Sequence, residues 1–167
     1  MPQIETFILN KTEIDHKIKR MAYQIYEANV TESTVIIAGI VENGYSLAQK
    51  LKKTLEKISP IKGVLCKVHI DKTNPIAPIK TSLSPEDYAN KSLVLVDDVL
   101  HSGTTLIYGV KHFLDVPLKQ FKTAVLVDRN HKKYPIKADY KGISLSTSLN
   151  ENVSVIFEKG NDRAILE

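Results

Sequence analysis

Residues 94–106 read VLVDDVLHSGTTL. Two adjacent carboxylates, Asp97 and Asp98, end an apolar run, and a turn of Ser102, Gly103, Thr104 and Thr105 leads into what reads as a helix. A strand that turns directly into a helix presents backbone N–H groups and the positive end of the helix dipole, an arrangement that holds a phosphate. The hydroxyls of Ser102, Thr104 and Thr105 add donors, and Gly103 lets the backbone approach a ligand closely. Two acids beside such a cradle repel a bare anion. They suit a neutral diol, or a cationic centre, one sugar away. A ribose 5-phosphate has that layout, with its phosphate in the turn and its hydroxyls on the carboxylates. Helix capping explains one Asp and leaves the second acid and the turn without a reason. A receiver-type phosphorylation domain has its acids on different strands with a later lysine, which this pattern does not supply.

The elements that must position these residues are readable from periodicity. Residues 11–29 carry Ile14, Ile18, Met21, Ala22, Ile25 and Tyr26 at helical spacing, and Asn10 with Glu13 forms a capping-box pattern. STVIIAGIV (33–41) is a short β-branched run of the kind buried on both faces of a parallel sheet. A helix over 44–58, a strand at 63–70, a strand at 92–99, a helix at 104–115 and a strand at 121–129 follow, with shorter strands near 143–146, 153–157 and 164–166. This alternation predicts an α/β fold with a central parallel sheet flanked by helices. Ligands of such sheets sit outside the carboxyl ends of the strands, where Asp97 and Asp98 fall. Residues 72–91 contain three prolines and no clear period, and are expected to be a lid loop between two core strands.

The composition fits one domain of 167 residues, with 43% hydrophobic and 25% charged residues. The single cysteine, Cys66, excludes a disulfide framework and a cysteine zinc site, and points to a cytoplasmic protein. No apolar run is long enough to span a membrane, and MPQIETFILN lacks the pattern of a secretory signal. The net charge of +4 favours anionic ligands or nucleic acid without deciding between them.

VLVDDVLHSGTTL resembles the phosphoribosyl pyrophosphate (PRPP) motif of type I phosphoribosyltransferases: an apolar strand, two acids, and a Thr/Ser-Gly-x-Thr turn. AVLVDRNHKKYPIKADYKG (124–142), ILNKTEIDHKIKRMAYQIYE (8–27) and GIVENGYSLAQKL (39–51) are similar to stretches of the bifunctional pyrimidine regulators of bacteria, which bind uridine nucleotides and RNA and act as uracil phosphoribosyltransferases. The resemblance covers most of the chain apart from 72–91 and the last dozen residues. It implies one type I phosphoribosyltransferase domain over 1–167, with the lid at 72–91 and a small hood with the C-terminal strands in 129–167. By this resemblance Asp97 and Asp98 hold the ribose hydroxyls and stabilise charge at the anomeric carbon, with Lys72 beside them. His101, Ser102, Gly103, Thr104 and Thr105 wrap the 5′-phosphate. Gly39, Ile40, Val41, Glu42, Asn43 and Gly44 form the pyrophosphate loop. Asp128, Arg129 and Tyr140 lie at the base, and Glu158 loosely matches a metal-binding acid. Mg2+ enters with the substrate, and the assembly is a homodimer or homotetramer. The implied reaction transfers phosphoribose from PRPP to a nucleobase, uracil in preference to a purine, releasing pyrophosphate.

The sequence departs from the family at several points. Asn43, preceded by Glu42, stands where the regulators carry an arginine in the pyrophosphate loop, which weakens the hold on an anion. Lys72 replaces an arginine and loses its bidentate fork. Thr104 also replaces an arginine. His101 occupies a variable position that in purine-using relatives is an acid near the base, and here it is expected to sit beside the site without transferring a proton. The other histidines, His16, His69, His112 and His131, show no metal-ligand spacing. His16, Lys19, Arg20, Lys132 and Lys137 partly match the relatives' RNA-contacting charges. A second function therefore stands beside the enzyme: a regulatory protein that senses nucleotide or PRPP and binds RNA, with weak or no catalysis.

Overall fold

The computed structural model describes residues 6–146, 148 and 151–167. Its larger sheet has six strands in the order β4-β3-β2-β5-β6-β7, comprising β2 (Thr34–Ile40), β3 (Lys62–His69), β4 (Lys80–Thr81), β5 (Ser92–Leu100), β6 (Gln120–Asp128) and β7 (Tyr140–Ser144). All its pairings are parallel except β3 with β4. β2 and β5 are buried over nearly their whole length, as expected of near-continuous apolar strands covered on both faces. From β2 the chain runs outward to β3 and then returns to the other side of β2 as β5. The order therefore reverses between β2 and β5, and this switch point opens the crevice in which α/β sheets bind ligands.

Helices α1 (Lys11–Ala28) and α2 (Asn43–Ile58) cover one face. The predicted stripe of α1 is the buried one, Ile14, Ile18, Met21, Ala22 and Ile25. Its capping box is complete, with Glu13 N donating to Asn10 Oδ1 at 2.8 Å and Asn10 N to Glu13 Oε1 at 3.1 Å. After the helix, buried Asn29 donates to Ile25 O at 2.8 Å and accepts from Ser92 Oγ at 2.6 Å, fastening the start of β5. The opposite face carries α4 (Thr104–Phe113) and the short α3 (Pro85–Tyr88). No helix among the described residues is long and apolar enough to cross a membrane.

Three features differ from the sequence reading. The span 72–91 is not structureless: β4 pairs antiparallel with the edge of β3, and α3 starts with Pro85 in its first turn behind a Ser84–Asp87 capping box. Tyr88 of α3 is buried against Phe113, with ring centroids 5.0 Å apart. One helical turn and a two-residue strand are too short to show a period, and prolines mask both. Secondly, the residues after β6 divide between two sheets. β7 continues the large sheet, whereas β8 (Val153–Ile156) and β9 (Arg163–Leu166) form a separate three-stranded antiparallel sheet. Thirdly, the outer strand of that small sheet is β1 (Thr6–Leu9), which pairs with β9 in the register Thr6↔Leu166. A partner about 160 residues away leaves no local signature in the sequence.

Asn10→Ala removes the side-chain half of the capping box, and is expected to cost about 1 kcal/mol. For a domain of this size that lowers Tm by roughly 2–4 °C, measurable by thermal unfolding.

Candidate functional site

Asp97 and Asp98 occupy the carboxyl end of β5 at the switch point. Each carboxylate bonds to the next amide: Asp98 N donates to Asp97 Oδ1 at 2.9 Å, and Val99 N to Asp98 Oδ1 at 2.9 Å. Asp97 is buried beneath the N-terminus of α2. A Cβ on Gly44 would come within 2.7 Å of Val96 O and 3.0 Å of the Asp97 Cα, so only glycine lets the helix start so close to the strand. Gly39, near the end of β2, has the same role from the strand side, because a Cβ there would lie 2.5 Å from the Tyr45 Cα. Lost hydration raises the Asp97 carboxyl well above the usual carboxylate range, and the neighbouring Asp98 charge raises it further, against a lowering by Lys72.

The segment Gly39–Gly44 runs from the end of β2 into the first turn of α2 and includes a cis peptide between Val41 and Glu42. Glu42 is exposed. Asn43 turns inward: its Nδ2 donates to Asp98 Oδ2 at 3.2 Å and to Val155 O of β8 at 2.8 Å. The side chain that stands in place of a cation thus ties one acid of the pair to the small sheet.

The turn after β5 is built as an anion cradle. Gly103 adopts φ +88° as the residue before α4, and a Cβ there would collide with the Ile136 side chain. The hydroxyls of Ser102 and Thr104 lie 2.8 Å apart. The first amides of α4 have no intrahelical acceptor by virtue of their position. Ser102 O accepts from Lys133 N at 2.7 Å and Tyr134 N at 3.2 Å, so the 133–136 loop braces the turn from outside. The turn, the two acids, Lys72 and His101 line one cavity of about 160 Å³.

His101 remains exposed at the edge of this cavity. Its Nδ1 lies 2.8 Å from Nη1 of Arg129, which is buried just beyond β6. Arg129 Nη2 also donates to Ser148 O, at 3.2 Å, and to Glu151 O. Burial lowers the His101 pKa, and the Arg129 charge lowers it further.

Several predicted residues are placed elsewhere. Tyr140 does not line the cavity. It opens β7 in register with Ala124, behind the carboxyl ends of the strands, and is buried in the α1–α2 core with its hydroxyl lacking a hydrogen-bond partner among the described residues. Asp128 is buried 3.8 Å from Lys141 Nζ and accepts from Asn130 N at 3.0 Å, so its carboxylate is engaged in the turn after β6. Glu158 pairs with Arg163 at 3.2 Å and borders a separate groove along α1 and α2. Among the described residues no cluster of three or more His, Cys, Asp or Glu side chains is arranged to hold a metal ion. His16, Lys19, Lys132 and Lys137 are exposed, Lys137 lying 3.7 Å from Asp139. Arg20 instead donates to Lys141 O at 3.1 Å and Gly142 O at 2.6 Å, clamping α1 to β7. Sequence reasoning missed Ile136, the loop amides on Ser102 O and the inward turn of Asn43, none of which has a local signal.

Residues 7–157 match the model of the phosphoribosyl transferase domain family. The chain is 32% identical to the bifunctional protein PyrR of Macrococcus caseolyticus, over 93% of this chain and 94% of that protein. It is 33% identical to the bifunctional protein PyrR of Listeria monocytogenes serotype 4a, over 92% and 90% respectively. Among solved structures, the hypoxanthine phosphoribosyltransferase of Trypanosoma cruzi superposes with a TM-score of 0.76 at 15% identity, covering 96% of this chain and 95% of that one. A hypoxanthine-guanine phosphoribosyltransferase of Bacillus anthracis gives 0.73 at 18% identity, over 87% and 85%.

Because folding raises the Asp97 pKa, the support this carboxyl gives the fold is complete only below the ordinary carboxylate range, and is lost as pH rises through the native value. Asp97→Asn keeps an acceptor for Asp98 N and removes the buried charge. The variant is expected to be more stable than the parent near neutral pH, by about 2–4 °C in Tm for each kcal/mol relieved. The gain should vanish below about pH 4, where the parent carboxyl is protonated in both states. A Tm at or below the parent's near neutral pH would show that Asp97 is not under this strain.

Proposed function

This chain belongs to the phosphoribosyl transferase domain family, and we propose that it transfers the phosphoribosyl group of PRPP to a nucleobase, uracil being the favoured acceptor, with release of pyrophosphate. The observation that carries the reading is the single cavity joining a hydroxyl-lined helix N-terminus to a carboxylate pair, with Lys72 beside the acids. The 5′-phosphate takes the Ser102–Thr105 turn, where amides and hydroxyls converge at the positive end of α4. The ribose hydroxyls donate to Asp97 and Asp98. As the bond from the anomeric carbon to the pyrophosphate oxygen breaks, positive charge grows on the ring. The two carboxylates, fixed before substrate arrives, stabilise that charge. A ring nitrogen of the base then bonds to the anomeric carbon from the opposite face, its N–H proton passing to the departing pyrophosphate, which leaves along the Gly39–Gly44 segment.

Mg2+ accompanies the donor and neutralises pyrophosphate charge when bound. The residues present fit this use, since Mg2+ takes one or two carboxylates together with substrate phosphates and keeps several waters. Lys72 begins the exposed stretch that precedes β4, and closure of that stretch over the cavity excludes water from the reactive centre.

A second reading is favoured by Asn43. Its amide is engaged by Asp98 and Val155 O and brings no positive charge to the loop, which suits a protein that holds nucleotide or PRPP as a signal and binds RNA through exposed His16, Lys19, Lys132 and Lys137.

The test offers PRPP and Mg2+ with uracil, hypoxanthine, guanine or xanthine separately and measures nucleotide formation. Turnover with uracil is expected, falling at least about 100-fold in the Asp97→Asn, Asp98→Asn double variant. PRPP binding without turnover on any base would replace the enzyme by the regulator. Salt-sensitive RNA binding that responds to uridine nucleotide would then support it.

A further inference from the structure

Arg129 and His101 meet at the rim of the cavity, 2.8 Å apart between Nη1 and Nδ1. A guanidinium carries only donors and keeps its proton in proteins. Nδ1 of His101 must therefore be the acceptor, with its lone pair aimed at Arg129. A neutral imidazole that accepts at Nδ1 bears its proton on Nε2. Arg129 is itself immobilised, buried at the end of β6 and held from its other nitrogen by the carbonyls of Ser148 and Glu151. Three charged groups act on the ring. Loss of hydration is the largest influence and lowers its pKa; Arg129 and Lys72 act in the same direction, and Asp98 of β5 opposes them.

We propose that Arg129 is a positioning residue that holds His101 as the neutral Nε2–H tautomer, so that the site meets its base with a hydrogen-bond donor and selects a carbonyl oxygen over an exocyclic amino group. The inference rests on the phosphoribosyltransferase reading and deepens it. It also removes His101 as acceptor of the proton that the incoming base sheds, since its one basic nitrogen faces a permanent donor. An amino group at that place would set donor against donor and leave a polar group unpaired. Loss of one such hydrogen bond costs a discrimination of about tenfold or more. The role separates Arg129 from the base itself: its guanidinium acts through the histidine, and its grip on Ser148 and Glu151 keeps the histidine's partner from swinging away.

The experiment is nitrogen-15 NMR of histidine-labelled protein, with His101→Gln to assign the signal. Near neutral pH the wild type is expected to show a protonated, pyrrole-like Nε2 and an unprotonated Nδ1. In Arg129→Met the ring should exchange between tautomers and titrate closer to the ordinary value of about 6.5. The wild-type spectrum needs no variant, so poor folding of Arg129→Met does not blunt the test. In parallel, calorimetry compares UMP with CMP: the wild type should prefer UMP by about tenfold or more, and His101→Phe should bring the two close together. A proton on Nδ1, a charged ring near neutral pH, or an unchanged preference in His101→Phe overturns the proposal. Turnover with a wild-type Nδ1–H tautomer overturns this inference alone. The expected tautomer and nucleotide preference without turnover on any base overturn the transferase reading alone.

Discussion

The arrangement depends on a carboxylate buried at the end of a central strand without a cation pressed against it. Asp97 lies under the first turn of α2, and the ion pairs among the described residues do not include it. What makes this tolerable is backbone. An amide of the next residue donates to it, and the positive end of α2 sits over it because Gly39 and Gly44 remove the side chains that would hold the helix away. Both glycines, the cis peptide between them and the inward Asn43 belong to one short loop. The geometry of the Gly39–Gly44 segment thus seats a helix on an acid.

Two side chains extend that order outward. Asn43 joins Asp98 to β8, and Arg129 joins His101 to the carbonyls of 148 and 151. Both bridge the large sheet to the segment that follows β7. The small sheet needs such ties, because it is assembled from β1 and β9 at opposite ends of the chain and shares no strand with the large one. Its position over the crevice is therefore fixed in part by residues of the site itself, and a change at Asn43 alters both the charge around Asp98 and the seating of β8.

Much of this was legible in the letters, for identifiable reasons. The helix at 11–28 and the strands at 34–40, 92–100 and 120–128 follow from period and β-branched runs, and Asp97, Asp98 and the Ser102–Thr105 turn follow from chemistry at a strand end. What escaped depends on pairing or orientation. β1 is defined by its remote partner, and α3 is too short to show a period. The resemblance puts Tyr140 at the base. Its fate is decided by register: pairing with Ala124 sets it back inside the core, where a partly buried aromatic is the ordinary outcome. From its letter alone, Asn43 reads as the absence of a charge. Its two hydrogen bonds depend on a strand more than a hundred residues away. Arg20 and Glu158 show the same limit, since a charged side chain does not announce whether it meets solvent, a ligand or a carbonyl.

The features least favourable to folding are also the ones a phosphoribosyl ligand would relieve. Asp97 is held in a place that penalises its charge, Gly103 adopts a left-handed backbone, and the first amides of α4 have no intrahelical acceptor, Thr104 N donating instead to Ser102 Oγ at 3.3 Å. Ribose hydroxyls would supply donors to the acids, and a phosphate would supply an acceptor to the amides. Each interaction would thereby offset a cost that the fold carries at these groups. The protein meets these costs from its sheet, where β2, β5 and β6 are buried along nearly their full length. Preorganisation of this kind is what electrostatic stabilisation of a short-lived cation requires, because a site that had to reorient its dipoles during the reaction would lose most of the benefit. The rigid sheet and the uncomfortable acid are in that sense one device: the first holds the second where water would otherwise relax it.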